Sequence, residues 1–477
     1  MKSRKKKKEF YTEYTARNAL KNGSFIVRLS AIVFGLGCLV HKQIAKGILY
    51  LTSEILLIVY MVQTGFYNLS KFRTLGDVEQ QKVWNEAKSL YEYVDGDRSL
   101  IILLYGIVTL SLILVFFLIA KSSLKQAYRL ECQSKKGEQI LTLKQELKEL
   151  LNGNLHITLL TFPVLGVLMF TILPLVFMIS MAFTNYSVEG NKLVLFDWVG
   201  LENFRKIFDF GDSLGQTFWS VFGWTMVWAV VATFSNYILG MLLALFINWK
   251  EIRAKKMWRF CFALTVAIPH FVTLLIIKSM LQPEGAVNIL LRNLGLIGAT
   301  QSLPFFTDAT WARVVVILIN IWVGVPYTLL QVTGILQNIP TELYEAARVD
   351  GAGPIVTFMK ITLPYMLFVT TPYLITTFTG NVNNFNVIFL TTEGLPRSVG
   401  STAGKTDLLI TWLYKLTIEN QYFDVGAVVG IMTFVGEHGT DYGYLCAGVL
   451  VSVIPVMVVY LIFQRYFVEG MAGAVKS

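Results

Sequence analysis

The sequence predicts an all-α polytopic membrane protein with about eight transmembrane helices. Of its 477 residues, 54% are hydrophobic and 15% are charged, whereas roughly 45–50% and about 25% are usual in a soluble domain. The apolar residues exceed what one aqueous core could bury, so the surplus must face lipid. Long apolar stretches, and an unequal distribution of Lys and Arg among the segments that join them, indicate the same fold class.

Seven apolar stretches are long enough to cross a bilayer as helices, which takes about 20 residues each. Several are longer or contain proline, so we expect tilted or kinked helices. The shorter stretch Ile26–Val40 carries Arg28 and is predicted to lie along the membrane surface as a helix. The seven predicted spans are Gly47–Phe66, Leu100–Ala120, Ile157–Phe183, Phe218–Asn248, Phe260–Met280, Val314–Leu336 and Leu363–Leu390.

The basic residues predict the orientation of these spans, because Lys and Arg accumulate in cytoplasmic segments. With the N-terminus inside, the cytoplasmic segments hold 27 Lys and Arg, whereas the external segments hold 12 and carry more Asp and Glu than that. The basic run Arg4–Lys8 is therefore interpreted as an anchor near anionic lipid, and no nucleic-acid partner is expected.

The features along the chain define five predicted regions. In the third region, Glu138–Leu151 has apolar residues at helical spacing and is predicted to lie along the membrane. Near the end, Phe423–Val435 is too short to span, and a polar break separates it from Leu445–Phe463, the candidate eighth span. The regions are a basic N-terminus with the interfacial helix (1–46), a two-helix transmembrane hairpin (47–120), a cytoplasmic amphipathic linker (121–156), a transmembrane core (157–436) and a final helix and tail (437–477).

No catalytic or metal-binding pattern is found in the sequence. The four Cys and four His are scattered without paired spacing, so neither a disulfide nor a metal site is expected. No cluster of acids, histidines or nucleophiles suggests an enzyme. The segment Gly400–Thr406 resembles a phosphate-binding loop only superficially, because the first glycine of that motif would fall at Val399.

An ion-coupled secondary carrier is the less favoured alternative. Such carriers usually have ionisable groups near the middle of the membrane. Here Glu54 lies in the first, peripheral span, and Lys278 and Arg313 lie near span ends, where their side chains can reach the interface.

The segment between the sixth and seventh spans, Asn338–Pro364, carries a motif on the predicted cytoplasmic side. Its sequence, NIPTELYEAARVDGAGPIVTFMKITLP, contains EAA-x3-G-x9-I-x-L-P in full. It thereby resembles the coupling loop of permease subunits in bacterial ABC importers, which contacts the ATPase. The resemblance assigns ATPase coupling to Glu345, Ala346, Ala347, Gly351, Ile361, Leu363 and Pro364.

The residue types of this motif suit a short helix that seats on another protein. Ala346 and Ala347 are small and allow close contact, and Gly351 permits the sharp turn that ends the helix. Pro364 suits the first turn of the following span.

The resemblance extends over residues 157 to about 435 and implies a six-helix type I importer core. Phe183–Tyr186 and Phe196–Phe204 resemble an external segment of sugar-importer permeases. Trp322–Tyr327 and Gly380–Asn386 resemble two in-membrane stretches of the larger permease subunit of maltose and maltodextrin importers. The chain from Thr440 onward resembles the last helix and tail of the smaller partner subunit instead.

In that family, the two in-membrane stretches line a sugar site. Amide and hydroxyl groups can satisfy sugar hydroxyls without a buried charge, and Tyr327 and Phe385 could cover apolar sugar faces. Alternatively, the asparagines only bond neighbouring helices. Gly380 replaces an aromatic residue of the maltose-type pattern, which leaves the saccharide open. The resemblance assigns substrate binding to Val323, Gly324, Tyr327, Thr377, Gly380, Asn381 and Asn384.

The resemblance implies a permease subunit of an ATP-driven importer that moves maltose or maltodextrin-type oligosaccharides inward by alternating access. The implied partners are a second permease subunit, two cytoplasmic ATPase subunits, and an extracellular lipoprotein or periplasmic binding protein, besides membrane lipid. No cofactor is expected on this chain, because the partner subunits hydrolyse ATP. The implied location is the bacterial cytoplasmic membrane, with both termini inside. A permease for another oligosaccharide is the alternative within the class.

Overall fold

A computed structural model describes residues 14–85, 90–138, 140, 145, 155–188, 191–249, 251–398 and 400–433. The chain divides into two compact units. One is formed by Met1–Phe177 with Asn191–Trp198, and the other by Met178–Gly190 with Val199–Ser477. Most of the predicted linker helix, and all of the predicted final helix and tail, lie outside the described residues.

The N-terminal unit contains two long apolar helical segments with a β-hairpin between them in sequence, and most of a third. Turns of π-helix continue α4 into α5 and α7 into α8, and α8 runs on into the second unit. The strands pair antiparallel. The elements are α1 (Ala16–Asn22), α2 (Phe25–Leu29), α3 (Leu36–Val40), α4 (Ile44–Tyr60), α5 (Phe66–Phe72), β1 (Gln81–Asn85), β2 (Leu90–Val94), α6 (Ser99–Lys135), α7 (Leu155–Val167) and α8 (Leu173–Met181).

The single helix predicted over Ile26–Val40 is wrong, because the structure has α2 and α3 with a turn between them. Gly35 takes a left-handed conformation (φ +79°) that ends helical geometry, and a Cβ there would lie 2.4 Å from the Gly47 carbonyl oxygen. The Ser123 hydroxyl accepts the Gly35 N–H at 2.8 Å, and the Ser30 hydroxyl accepts the Gly37 N–H at 2.8 Å. These side-chain acceptors replace the helical hydrogen bonds that the turn removes.

Glu54, the acid in the first span, binds the backbone of the same turn. Its carboxylate is buried and accepts the N–H of Phe34 at 2.7 Å. A buried carboxylate needs such a donor to offset its desolvation. The position of Glu54 is therefore explained by the packing of the N-terminal unit.

Asp97 holds the base of the β-hairpin. Its carboxylate accepts the N–H groups of Asp77 and Val78 at 3.0 and 3.1 Å, and the Lys71 ammonium donates to it at 2.7 Å. The hydrogen bond from Lys71 lowers the pKa of Asp97 below its usual value. One side chain thus connects α5, the chain before β1 and the chain before α6.

The second unit is a helical bundle built around the long helix α10. This helix packs most extensively against α14 and then against α17. The α10–α14 contact is close at Gly240, where a Cβ would lie 2.6 Å from Thr328 Cβ. The helices are α9 (Glu202–Phe208), α10 (Ser213–Asn248), α11 (Lys255–Ala267), α12 (His270–Met280), α13 (Ala286–Asn293), α14 (Ala309–Leu336), α15 (Thr341–Val349), α16 (Pro354–Thr357), α17 (Leu363–Val382), α18 (Phe385–Thr391), α19 (Leu409–Tyr414) and α20 (Phe423–Thr433).

Six helical segments of the described chain are long and apolar enough to cross a membrane, and a seventh is a bent pair. Each overlaps one of the seven predicted spans, which confirms the membrane class. The candidates are Ile44–Phe72, Ser99–Lys135, Leu159–Met181, Ser213–Asn248, Ala309–Leu336 and Pro354–Thr391, with α11 and α12 as the pair.

Two of these spans are broken, and the kinks expected in proline-containing spans account for the first of them. The fifth bends by 86° between α11 and α12, where Pro269 supplies no N–H to an uninterrupted helix. The seventh is interrupted at Asn383 and Asn384, between α17 and α18.

Candidate functional site

A band of polar side chains lies between two apolar clusters in the middle of the helical bundle. On α10, the first cluster ends at Ala232 and the second begins at Tyr237. On α14, the same clusters are separated by the stretch from Asn320 to Thr328. Polar groups near the middle of membrane helices are costly, and they commonly mark a substrate pathway.

Asn381 connects α17 to α10. Its side-chain amide donates to the Thr233 hydroxyl at 3.0 Å, and its backbone carbonyl accepts the indole N–H of Trp228 at 3.0 Å. The Asn381 side chain is 6% exposed. These bonds are the helix-to-helix contacts that the alternative interpretation of the asparagines expects.

Asn384 forms the break in the seventh span. Its side-chain oxygen accepts the N–H of Val387 at 3.2 Å and thereby caps α18. Its amide nitrogen lies 3.4 Å from the side-chain oxygens of both Asn320 and Asn381. Asn384 thus supplies the first-turn acceptor that lets a new helix begin, and it joins α18 to α14.

Gly324 contacts an amide rather than open space. A Cβ on Gly324 would lie 2.2 Å from Asn236 Nδ2 and 2.6 Å from Asn236 Cγ. The absence of a side chain at Gly324 therefore admits the Asn236 amide between α10 and α14. At this position, the chemical group next to the Gly324 backbone is the side chain of Asn236.

The other predicted sugar-site residues lie at the edge of the band. Val323 is half-buried against the first apolar cluster, and the Tyr327 side chain is 44% exposed. Thr377 is half-buried on α17. Gly380 is exposed, and no atom of the described residues beyond its own stretch of α17 lies within 4 Å of the place where its Cβ would be.

Sequence reasoning missed Asn236 and Asn320. Both are nearly buried, at 5% and 6% exposure. Within the described chain, Asn236 Oδ1 and Asn320 Nδ2 have no hydrogen-bond partner, so these two side chains offer a free acceptor and a free donor. The available signal was an asparagine inside each of two long apolar stretches, which is unusual enough to single out.

The EAA segment forms a short exposed helix, α15, followed by a tight turn. Glu345 and Ala346 are exposed, whereas Ala347 is buried. The turn that the sequence predicts at Gly351 is present, with φ +72°. The N–H of Ala352 donates to the Ala347 carbonyl at 2.8 Å, which is the closing bond of a glycine-ended helix.

Tyr344 connects α15 to the membrane helices. Its hydroxyl lies 3.1 Å from the Thr362 hydroxyl, and its ring packs against the second apolar cluster. The following span begins earlier than predicted, at Pro354. A π-helical turn, Phe358–Thr362, precedes the half-buried Leu363 and the exposed Pro364, where the proline provides no N–H. Ile361, at the end of that turn, is half-buried.

The chain matches a known family over its second half. The family described as "Binding-protein-dependent transport system inner membrane component" matches residues 236–473. This range begins at the Asn236 of the polar band and includes α15 and the turn at Gly351.

Two full-length relatives come from Bacillus subtilis (strain 168). The galactooligosaccharides transport system permease protein GanP is 34% identical over 413 residues, which are 86% of this chain and 94% of the relative. The maltodextrin transport system permease protein MdxF is 34% identical over 422 residues, which are 85% and 92% of the two chains.

A third relative, the maltose/maltodextrin transport system permease protein MalF of Escherichia coli (strain K12), is 36% identical over 242 residues. That match covers 50% of this chain and 46% of the relative. Among solved structures, a chain of a bacterial alginate ABC transporter in complex with alginate pentasaccharide-bound periplasmic protein has a TM-score of 0.50 and 21% identity, covering 67% of this chain and 96% of that one. That similarity supports the fold alone. From the family match and the two full-length relatives, this chain belongs to the binding-protein-dependent transport system inner membrane component family, a family of membrane transport permeases.

Proposed function

We propose that this chain is a permease subunit of an ATP-driven importer and that it carries maltodextrin-type oligosaccharides across the bacterial cytoplasmic membrane. The observation that carries the proposal is the polar band, whose buried members are uncharged amides and hydroxyls. A neutral, hydroxyl-rich substrate needs paired donors and acceptors and no counter-charge. The names of the full-length relatives, a maltodextrin and a galactooligosaccharide permease, support the sugar class.

The sugar pathway follows the exposed side of the polar band. Tyr327, Thr377 and Gly380 line it, and the asparagines at the break in the seventh span supply hydrogen bonds. The free donor of Asn320 and the free acceptor of Asn236 are groups that sugar hydroxyls can satisfy. Open space beside Gly380 leaves room for a sugar ring where the maltose-type pattern has an aromatic side chain.

The coupling function belongs to α15 and the turn after it. Exposed apolar side chains surround the turn, among them Val349 at 87% and Ile355 at 79% exposure. Val349 lies outside the spans, and an apolar group this exposed there suits a surface that a partner covers. We assign that partner role to a cytoplasmic ATPase subunit, and ATP is hydrolysed there rather than on this chain. A second permease subunit, a second ATPase and an external binding protein complete the assembly, and both termini of this chain lie inside.

ATP hydrolysis in proteoliposomes tests the proposal. The vesicles contain this chain with its partner permease and ATPase subunits, and they receive binding protein and maltodextrins of several lengths. We expect hydrolysis to rise only when binding protein and sugar are both present. Glu345→Lys reverses the charge of an exposed residue at the centre of the coupling helix, and we expect it to lower the stimulated rate by at least about tenfold.

Glu342→Lys is the matched control, because Glu342 is also exposed on α15 but lies outside the EAA motif. It should retain most of the stimulated rate, and both variants should insert into the membrane in normal amounts. Normal stimulation of the Glu345→Lys complex would contradict the coupling assignment.

Galactooligosaccharides are the second substrate candidate, because GanP is as similar to this chain as MdxF is. The same vesicles distinguish the two sugars. Stimulation by galactooligosaccharides without stimulation by maltodextrins would keep the importer class and replace the substrate. An ion-coupled carrier, by contrast, would transport without ATP and would respond to an imposed ion gradient.

A further inference from the structure

A buried ion pair organises the segment 392–415, described except for residue 399. Asp407 and Lys415 are 1% and 2% exposed, and Lys415 Nζ lies 2.6 Å from Asp407 Oδ2. The Asp407 carboxylate also accepts the Gly404 N–H at 2.6 Å and the Thr411 hydroxyl at 2.9 Å. Separating such a pair would leave a charge buried without its partner, which is strongly unfavourable. The ion pair and its hydrogen bonds therefore fix the described part of the segment around Asp407.

This segment is attached to α10 and α14. The indole N–H of Trp224 on α10 donates to the Thr406 carbonyl at 3.2 Å, and the Leu409 N–H donates to the Thr225 hydroxyl at 3.1 Å. On α14, Arg313 Nε donates to the Lys405 carbonyl at 2.9 Å. The 392–415 segment should therefore move together with these two helices.

Glu393 projects from this segment toward α12. Lys415 Nζ donates to the Glu393 backbone carbonyl at 2.8 Å, which fixes the backbone. The next residue, Gly394, has φ +81°, and a Cβ there would lie 2.2 Å from Asp407 Oδ1. The Glu393 backbone is therefore held in place, and its carboxylate accepts from Lys278 Nζ at 2.5 Å.

Lys278 lies near the end of the bent fifth span. Its helix, α12, meets α11 at an angle of 86° through Ile268 and Pro269, and such a break can act as a hinge. Along α12, Leu274 is fully buried against Val387 and Ile388 of α18. The apolar contact and the ion pair thus hold the same helix.

The two ion pairs differ in how easily they separate. The side chains of Lys278 and Glu393 are 28% and 57% exposed, so water can solvate both charges once they part. Ion pairs this exposed contribute little to stability. The Lys278–Glu393 pair is therefore reversible, whereas the Asp407–Lys415 pair is not.

We propose that the Lys278–Glu393 ion pair is a reversible latch between α12 and the 392–415 segment, closed in one state of the transport cycle and open in another. This inference rests on the proposed importer function. Lys278 and Glu393 are positioning residues that act through the angle of α12 and touch no substrate. The movement of α12 then depends on the attraction between two opposite charges, which a neutral side chain at either position does not provide.

A distance measurement between α12 and the segment tests the latch. Spin labels are placed at Ile276→Cys and Leu395→Cys, both exposed, in the assembled complex in nanodiscs, after serine replaces Cys38, Cys132, Cys261 and Cys446. With the native Lys278–Glu393 pair, we expect two distances between the labels. The ratio of their populations should change when a non-hydrolysable ATP analogue and binding protein are added. Lys278→Met and Glu393→Gln should each raise the open fraction about two- to fivefold. ATP hydrolysis without binding protein should rise in parallel.

Charge exchange separates pairing from a general loss of structure. Lys278→Glu combined with Glu393→Lys should restore the wild-type ratio, because it reverses the pair and keeps the attraction. Arg397→Gln is the control, since Arg397 in the same segment forms an exposed ion pair with Glu419 at 3.3 Å that does not reach α12. It should leave the ratio unchanged.

Three outcomes overturn the latch. The first is a single distance between the labels in every state of the wild-type protein. The second is a wild-type ratio of the two distances in the Lys278→Met and Glu393→Gln variants. The third is a charge exchange that does not restore this ratio. A complex whose ATP hydrolysis ignores every sugar, but whose separations follow the expected pattern, would refute the sugar-importer proposal and support the latch. The failure of one proposal can therefore be distinguished from the failure of the other.

Discussion

The sequence assigns both Gly324 and Gly380 to substrate binding, but Gly324 is tightly packed and Gly380 faces open space. A methyl group on Gly324 would overlap the buried amide of Asn236, whereas a methyl group on Gly380 would meet open space. We expect Gly324→Ala to lower the free energy of unfolding by about 1–3 kcal/mol, because overpacking forces a buried side chain to move. Gly380→Ala should change it by less than about 0.5 kcal/mol. Thermal unfolding of the purified protein in detergent measures both.

A second substitution identifies the group responsible for the loss. Adding Asn236→Ala to Gly324→Ala removes the overlapping amide, and most of the lost stability should return. Equal stability of the Gly324→Ala and Gly380→Ala proteins would show that the Asn236 amide can move away at little cost.

The sequence identified the candidate sugar-site residues on two helices, but it did not identify the residues that they contact. Asn381 and Asn384 are three residues apart, so local spacing alone places them near each other. Thr233, Asn236 and Asn320 come from distant parts of the chain, and only the packing of α10 against α14 and α17 brings them there. No local pattern encodes that packing.

For the helices, composition predicts where the spans lie, whereas hydrogen bonding determines where they break. Apolar length predicted all seven spans that the described chain contains, counting the bent pair as one. Apolar length alone could not locate the breaks, because an average over apolar residues is insensitive to missing backbone donors and to side-chain acceptors, although the proline in the fifth span predicted a kink. Pro269 and Asn384 carry that information as single residues, the first by lacking an N–H and the second by capping α18.

The β-hairpin of the N-terminal unit depends on a single carboxylate at its base. Asp97 accepts two backbone N–H groups and one ammonium, so Asp97→Asn removes the charge from three hydrogen bonds. We expect the amides of Asp77 and Val78 to exchange with deuterium about tenfold faster, because hydrogen bonds to a charged group contribute about 1.5–3 kcal/mol. Hydrogen–deuterium exchange followed by mass spectrometry measures this. Glu79→Gln, an exposed neighbour, is the control and should leave the exchange unchanged.

The pKa of Asp97 makes the stability of this end of the β-hairpin depend on pH. Since folding lowers this pKa, the folded state favours the ionised carboxylate, and its stabilisation is fully present above the ordinary pKa of about 3.9. It is lost as the pH falls through the lowered folded value. After correction for intrinsic rates, protection of Asp77 and Val78 should therefore decrease in acid in the wild type and remain level in Asp97→Asn. Equal acid dependence in both proteins would exclude Asp97 as the cause.

For the whole molecule, the apolar content of the sequence and the polar band of the structure are two separate properties of one membrane protein. Apolar content predicts a membrane bundle, and the polar band shows that its interior also contains groups that lipid would not stabilise. The family match continues to residue 473, through the part of the chain that resembles the smaller partner subunit. The match thus places the end of the chain and most of the helical bundle in a single permease family.

The distribution of basic residues predicts where this hybrid end lies. If both termini are inside, the chain crosses the membrane an even number of times, and the stretch Leu445–Phe463 must be the eighth span. We expect Ser3→Cys and Ser477→Cys to react with a membrane-impermeant maleimide only after cells are permeabilised. Tyr93→Cys, on the exposed hairpin, should react in intact cells and serves as the positive control. Each variant is made in the cysteine-free chain and leaves the net charge unchanged. Labelling of Ser477→Cys in intact cells would place Lys476 outside, reduce the crossings to an odd number, and remove the tail from any contact with a cytoplasmic ATPase.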